Sequence, residues 1–300
     1  MILAVGVDKF APDRLRVEPL AWFRRFAAAI EKRFQGGNRA HGTVAAVVAI
    51  TPVLLLVLVV RYVFAELGWI LRFAFDVIVL AWCLNLYRLS DCANEISEAL
   101  QTADMSAANE NLRLLVDGSP DELSEAAIAR STVEAVLKQA NTVIIAPLFW
   151  FILLGPVGAV LQRLANLLSR SWGQRNERLA EFGWAAERLD DVLGWIPARI
   201  TALSYAIMGS FEDALRCWRY QVGLWSASQS GPVLASGLGA LQMQSCDELT
   251  GNEDRKGKVA VTTVVPDAGH VRRVVALVWR VLLFWVTTAV CLLVLRVVVV

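Results

Sequence analysis

The sequence predicts an all-α integral membrane protein with about four to five transmembrane helices, a cytoplasmic helical hairpin and a membrane-embedded central core. Of its 300 residues, 56% are hydrophobic, and the mean hydropathy is +0.51, which is too apolar for an ordinary soluble domain. Several uncharged runs approach the roughly 20 residues that a spanning helix needs. The charged stretches between these runs repeat apolar residues at helical spacing.

Composition argues against several classes of protein. The formal net charge of +1, with no basic tract, gives no sign of a nucleic-acid partner. The two histidines, His41 and His270, lie far apart in the sequence, which argues against a zinc site or a histidine-based triad. The five cysteines form no metal-ligand spacing and are expected to be reduced and packed. The apolar start of the chain is interrupted at Asp8 and Lys9 and is therefore too short for a signal peptide.

Residues 1–42 form the first predicted region, a short apolar start followed by an amphipathic helix over 19–34. Basic residues alternate with the apolar face of this helix, which consists of Leu20, Phe23, Ala27 and Ile30. The pattern suits the surface of an anionic membrane. It suits equally a helix that packs on other parts of the protein.

Residues 43–87 are expected to contain two transmembrane helices. The first covers 43–60, eighteen positions without a charge, and is the clearest spanning segment. The second covers 65–87, and its uninterrupted core, 73–87 apart from Asp76, follows a tight connection. The charges in its first half are Glu66, Arg72 and Asp76.

The acidic region 88–142 is predicted to be a water-exposed helical hairpin. Its apolar residues recur at helical spacing, so its apolar stripes are expected to pack inward. The Asp-Gly-Ser-Pro sequence at 117–120 predicts the turn that divides it.

Residues 143–241 form the central core, with two predicted membrane segments. The segment 143–161 has nineteen residues without charge, whereas 195–209 contains Pro197 and Arg199 and either spans the bilayer or re-enters it. An arginine in an apolar segment needs a partner or must snorkel to the interface. The ion pair is favoured, and its candidate acids are Asp190, Asp191 and Glu134.

The C-terminal part contains an irregular Ser- and Gly-rich loop at 229–239, a solvated linker at 242–273 and a last transmembrane helix at 274–300. Lysine and arginine are more frequent on the side that holds the N-terminal segment, the acidic hairpin and the linker. The positive-inside rule therefore places these parts in the cytoplasm, at a bacterial inner membrane.

Polar residues flank the two core membrane segments, which the intervening loop brings back together. One interpretation is a polar pocket at the membrane face for an anionic or metal-bound ligand; the other is a solvated loop with ordinary helix-end charges. The candidate pocket residues are Glu134, Arg163, Asn166, Arg188, Asp190, Asp191 and Arg199. Asp190 and Asp191 are the candidates for metal ligation, and no catalytic residue is assigned.

Six short motifs stand out in the core. They are VEAV (133–136), APLFW (146–150), GPVGA (155–159), RLAN (163–166), FGWAAERLDDV (182–192) and WIPARITAL (195–203). Together they resemble the CobD/CbiB family, and a weaker similarity extends the match to roughly 128–241. The resemblance implies an integral membrane enzyme of cobalamin biosynthesis, adenosylcobinamide-phosphate synthase. That enzyme joins an aminopropanol unit to a corrinoid carboxylate in an amide bond, and the resemblance implies ATP and Mg²⁺ as cofactors.

The chain departs from the family pattern at several positions. Lys138, Thr142, Ser169 and Ser119 replace residues that are usually acidic, Gln139 and Gly194 replace asparagines, and Gly118 replaces an arginine. Because Mg²⁺ in such a site is held through carboxylates, these replacements predict weak or absent ligase activity.

A sister group, the AmpE proteins linked to β-lactamase induction, is also similar to this chain. The shared features are the APLFW run, the W-[IV]-P-x-R motif and the Tyr-Ala-x-x-Gly of 205–209. This similarity implies a non-enzymatic inner-membrane sensor or accessory protein with a membrane-protein partner. Both interpretations stay open at this stage, and the lipid bilayer is a partner in either one.

Overall fold

The computed structural model describes residues 21–33, 38–84, 86–116, 124–172, 177–221, 230–248 and 259–299. Within them the chain is almost entirely helical, which confirms the all-α fold class. A two-stranded antiparallel sheet, which the sequence analysis did not predict, is the exception. Leu20, the turn at 117–120 and most of the solvated stretch within the linker lie outside the described residues.

The elements are numbered here in chain order. They are α1 (Ala21–Arg33), α2 (Arg39–Leu67), α3 (Trp69–Cys83), α4 (Leu86–Gln101), α5 (Met105–Leu115), α6 (Glu125–Ala140), a π-helical turn (Asn141–Ile145), α7 (Ala146–Leu154), α8 (Pro156–Trp172), α9 (Glu177–Met208), α10 (Phe211–Gln221), α11 (Ser230–Ala240), β1 (Gln244–Glu248), β2 (Val259–Thr263) and α12 (Ala268–Val299).

The chain divides into two compact units, each made of two separate stretches. The first unit comprises Met1–Asn85 and Thr142–Ile196, and the second comprises Leu86–Asn141 and Pro197–Val300. Helices α1 to α3, α7, α8 and the greater part of α9 belong to the first unit. Helices α4 to α6, the end of α9, α10 to α12 and the sheet belong to the second.

Three helical stretches among the described residues are long and apolar enough to cross a membrane. They are Arg39–Leu67, Trp69–Gln101 and Glu125–Leu154. The first two correspond to the predicted pair of transmembrane helices. Residues 195–208 belong to the continuous helix α9 and are not among the three. The C-terminal helix α12 has 32 residues, but the side chains of 289, 290 and 292–299 lie outside the described residues.

The apolar run 143–161 does not form one helix, contrary to its interpretation as a single membrane segment. The chain turns at Gly155, which has φ +69° and ends α7, and Pro156 begins α8. A positive φ is accessible to glycine without steric cost, and proline suits the first position of a helix. The part of this run before Gly155 instead continues the helical stretch that begins with α6. The candidate span therefore runs from Glu125 to Leu154.

Helices α2 and α3 expose large apolar side chains along much of their length. Leu56 is 63% exposed, Trp69 77% and Ile70 64%. Such a continuous apolar surface is typical of contact with lipid. Between the two helices, Arg61 Nε lies 3.1 Å from Asp76 Oδ1, so these two charges within the apolar hairpin neutralise each other.

The core of the first unit lies between α1, α2, α3, α8 and the start of α9. Helix α1 contributes Phe23, Ala27 and Ile30, all buried. The apolar face of the predicted amphipathic helix thus packs on the protein, as one of its two interpretations required. Trp172 and Phe182 meet edge to face at the other end of the cluster, with ring centroids 5.0 Å apart.

The predicted acidic hairpin contains three helices, α4, α5 and α6. Its apolar stripes pack inward as expected, since Ala93, Ile96, Leu100 and Ile128 are all buried. Helix α12 packs against α4 and α6. Ser97 in α4 donates a hydrogen bond to the Ala268 carbonyl at 3.0 Å, which fixes the first turn of α12 on this bundle.

The prediction of an irregular loop at 229–239 is wrong. Residues 230–240 form helix α11, and every one of them is buried. The Ser, Gly and Ala residues suggested a loop. In the structure their small size lets α11 lie close to its neighbours α6 and α10. Ser236 Oγ donates to the Ala202 carbonyl of α9 at 2.6 Å, so the one hydroxyl at the centre of α11 is satisfied.

Candidate functional site

A buried polar cluster occupies the first unit, between α8 and α9. We define it as Thr142, Gln162, Asn166 and Asp190. Asn166 Nδ2 donates to the Asp190 carboxylate, at 3.2 Å from Oδ2 and 3.5 Å from Oδ1. Asn166 is 4% exposed and Asp190 is 9% exposed. A buried carboxylate needs such a donor, because its desolvation is costly.

Gln162 lies one helical turn before Asn166 on the same face of α8. Its Nε2 donates to the Thr142 carbonyl at 3.3 Å. Its Oε1 is buried and, among the described atoms, has no hydrogen-bond partner. Since most buried polar atoms are paired, this oxygen is an acceptor open to a ligand or water. The cluster therefore presents amide and carboxylate groups within an apolar unit.

Trp150 connects the APLFW motif of α7 to α9 close to this cluster. Its indole Nε1 donates to the Leu193 carbonyl at 2.9 Å. Leu193 stands four residues before Pro197, which has no N–H and so cannot make the helical bond to that carbonyl. The Trp150 indole supplies the donor that Pro197 lacks. The carbonyl that it binds belongs to Leu193, three residues after Asp190 in α9.

Six of the seven predicted pocket residues lie on α8 or α9, and Glu134 lies on α6. Asn166 and Asp190 are in direct contact, while Arg163 and Asp191 are half-buried on the same two helices and Arg188 is exposed. Burial raises the pKa of Glu187, and the neighbouring negative charge of Asp191 raises it further.

Glu134 and Arg199 belong to the second unit. Glu134 Oε1 accepts from Arg130 Nε at 2.9 Å, four residues earlier in α6, which is the ordinary pairing of charges on one helix face. Arg199 is half-buried in α9, two residues beyond Pro197. Its predicted ion pair with Asp190, Asp191 or Glu134 stays a prediction.

The donor set of the cluster does not fit a Mg²⁺ ion. Mg²⁺ prefers near-octahedral oxygen coordination with one or two carboxylates. Asp190 already accepts the Asn166 amide, and Thr142 offers the cluster a carbonyl that Gln162 occupies. The sequence position after VEAV that is usually acidic holds Lys138, whose side chain is exposed.

Sequence reasoning missed Gln162 and the role of Trp150. Gln162 could have been found from its spacing, because Gln162 and Asn166 lie four residues apart within an otherwise apolar helix face. Trp150 could have been found by asking which donor satisfies the carbonyl four residues before Pro197.

Comparison with known proteins gives a consistent result. A family model described as CobD/Cbib protein matches residues 1–278. The cobalamin biosynthesis protein CobD of Stutzerimonas stutzeri is 35% identical over 93% of this chain and 92% of its own length. The protein of the same name from Chromobacterium violaceum is 36% identical over 80% of this chain and 78% of its own.

The similarity reaches archaea. A probable cobalamin biosynthesis protein CobD from Thermococcus kodakarensis is 27% identical over 93% of this chain and 89% of its own length. No solved structure matches the chain.

Proposed function

This chain belongs to the CobD/CbiB family, and from that premise we propose that it acts in cobalamin biosynthesis as a corrinoid-binding protein of the bacterial inner membrane. The observation that carries the proposal is the similarity to CobD of Stutzerimonas stutzeri along almost the whole of both chains. A match of this extent includes both units rather than a shared motif.

The buried polar cluster is the part of the chain that we assign to the ligand. Asn166 and Gln162 offer amide groups, and Asp190 offers a carboxylate, all within one face of the α8–α9 pair. A corrinoid carries a carboxylate and several polar substituents that would pair with such groups. Arg163 and Arg188 lie on the same helices and supply positive charge near the ligand carboxylate.

We propose further that the amide ligation implied by the family is slow in this chain. ATP-dependent activation needs metal-held phosphates, and the positions that usually carry acids hold Lys138, Thr142 and Ser169. A lysine repels a divalent cation instead of binding it. In a strain that lacks the cobinamide-phosphate synthase, this chain should restore growth poorly. The triple change Lys138→Glu, Gln139→Asn and Thr142→Asp should improve growth.

The orientation in the membrane is also a proposal. The excess of lysine and arginine favours a cytoplasmic location for the N-terminal segment, for α5 between the candidate spans 69–101 and 125–154, and for the linker before α12. Reporter fusions after residues 116 and 248 would test this. An external signal from either fusion would contradict the orientation.

Deletion of the gene in its own bacterium tests the role in cobalamin biosynthesis. We expect corrinoid intermediates to accumulate and cobalamin to fall, measured by mass spectrometry of cell extracts. The AmpE-like alternative predicts unchanged corrinoids and altered β-lactamase induction. That outcome would replace the cobalamin proposal.

A further inference from the structure

Helix α1 presents a second surface besides the face that it buries. Phe23, Ala27 and Ile30 point into the core of the first unit. The outer stripe, which we define as Trp22, Phe26, Ala29 and Arg33, follows at spacings of four, three and four residues and is exposed. Such spacing puts these four side chains on one side of the helix, next to the buried face.

The outer stripe combines large aromatic groups with positive charge. Trp22 is 49% exposed and Phe26 is 38% exposed. Arg25 and Lys32 are exposed beside the stripe, and Glu31 is the acidic residue of α1. Aromatic side chains with adjacent lysine and arginine are typical of helices that lie in the headgroup layer of a bilayer.

The position of α1 in the first unit fits a membrane surface. Its buried face packs into the cluster that contains Ala45, Ala46 and Ala49 of α2. On the outside of the same turns of α2, Val47 is 58% exposed. Helix α2 is one of the three candidate spans, so lipid that surrounds α2 at this level also reaches the exposed side of α1.

We propose that α1 is an interfacial helix that binds anionic phospholipid. In this arrangement Trp22, Phe26 and Ala29 lie at the boundary between headgroups and acyl chains. Arg25, Lys32 and Arg33 contact the phosphates of phosphatidylglycerol. The helix thereby ties the core of the first unit to one leaflet, independently of which ligand the buried polar cluster takes.

Two neighbouring alanines of α1 allow a matched test of its orientation. Ala29 belongs to the outer stripe, whereas Ala28 is exposed on the polar side of the helix. A nitroxide spin label is placed at Ala29→Cys or at Ala28→Cys, with the five native cysteines replaced by alanine. The full chain is reconstituted in vesicles of equal parts phosphatidylcholine and phosphatidylglycerol. Label 29 should be relaxed mainly by oxygen, and label 28 mainly by a water-soluble nickel complex. Equal access of nickel to both labels would overturn the proposal.

A second test needs no change of cysteines and measures the charge contribution. The variant Arg25→Gln/Lys32→Gln/Arg33→Gln is compared with the control Arg113→Gln/Arg219→Gln/Arg272→Gln, which removes three exposed basic residues elsewhere. Binding of phosphatidylglycerol to each full-length protein is measured by native mass spectrometry. Each residue removed from α1 should weaken binding by up to about five-fold, and the control should resemble the wild type. Equal losses in both variants, or none in the α1 variant, would overturn the proposal.

Discussion

The indole N–H of Trp150 donates to the Leu193 carbonyl at 2.9 Å, and this is the carbonyl that Pro197 leaves without its helical donor. The relationship links Trp150 of the APLFW motif to the gap that Pro197 of WIPAR leaves in the hydrogen bonding of α9. Pro197 removes one backbone hydrogen bond from α9, and Trp150 of α7 donates to the carbonyl that is left.

Replacement of Trp150 by Phe should therefore depend on Pro197. In the wild-type background, Trp150→Phe leaves a half-buried carbonyl unpaired and should cost about 1–3 kcal/mol of unfolding free energy. In a Pro197→Ala background, the alanine N–H can bond to Leu193, so the same change should cost clearly less. Thermal unfolding of the four proteins in detergent gives this coupling energy. An equal cost in both backgrounds would show that the pairing is irrelevant.

The pair Asn166–Asp190 should stabilise the first unit. Asn166→Leu removes the amide that donates to the buried Asp190 carboxylate. The loss of this hydrogen bond should lower the unfolding free energy by about 1–3 kcal/mol. Asn166→Leu/Asp190→Leu removes both polar groups and should recover part of that loss. Arg188→Gln, an exposed neutralisation on the same helix, serves as the control and should leave the melting temperature nearly unchanged. A double variant less stable than the single one would contradict this description of the pair.

Two buried glycines should differ sharply in their tolerance of a methyl group. A Cβ at Gly158 would lie 2.5 Å from the Trp150 carbonyl oxygen, a backbone atom that cannot move aside. A Cβ at Gly237 would lie 2.7 Å from the terminal methyls of Leu137, which can rotate away. Gly158→Ala should cost about 3 kcal/mol, and Gly237→Ala about 1 kcal/mol. Melting temperatures in the reverse order would contradict the packing of α7 on α8.

Stability should depend on pH through Asp213. The Ser210 hydroxyl, at 2.7 Å, lowers the pKa of the Asp213 carboxyl, and the Gln242 amide, at 3.1 Å, lowers it further. A carboxyl with a lowered pKa stabilises the fold above its unfolded pKa of about 3.9, and this stabilisation disappears as pH falls through the folded value.

Asp213→Asn should therefore lower stability at neutral pH by about 1 kcal/mol or less, and the difference should shrink below about pH 4. Unfolding in detergent between neutral and acid pH measures it. Glu212→Gln is the control, because the exposed pair of Glu212 with Arg216 contributes little. A difference that stays constant across this pH range would mean that the Asp213 charge does not contribute.

The sequence predicted the helical membrane fold because apolar runs and helical spacing depend on local composition. It also predicted the inward face of α4 and identified the apolar face of α1, for which packing on the protein was one of two interpretations. It missed α11, because Ser and Gly disfavour an isolated helix and only burial against α6 and α10 makes one form there. The sheet β1–β2 was missed for a similar reason, since five-residue strands carry a weak local signal.

Sequence reasoning named those residues of the candidate site that lie within recognisable motifs. Asn166 and Asp190 were named from RLAN and ERLDDV, and the structure joins them. Glu134 was named from VEAV, although Arg130, four residues earlier on the same helix face, already indicated an ordinary ion pair for it. Gln162 was overlooked, although its spacing of four residues from Asn166 on an otherwise apolar helix face could have indicated it.

The most direct test of the account is corrinoid binding by the purified full-length chain. Equilibrium dialysis against a corrinoid carboxylate, followed by its visible absorbance, compares the wild type with Gln162→Met and with the exposed control Arg113→Lys. Gln162→Met keeps the volume of the side chain and removes the unpaired acceptor. We expect the wild type and the control to bind alike, and Gln162→Met to bind about ten-fold more weakly, as the loss of one buried hydrogen bond implies. Absence of corrinoid binding by the folded wild type, or equal binding by all three proteins, would contradict the account.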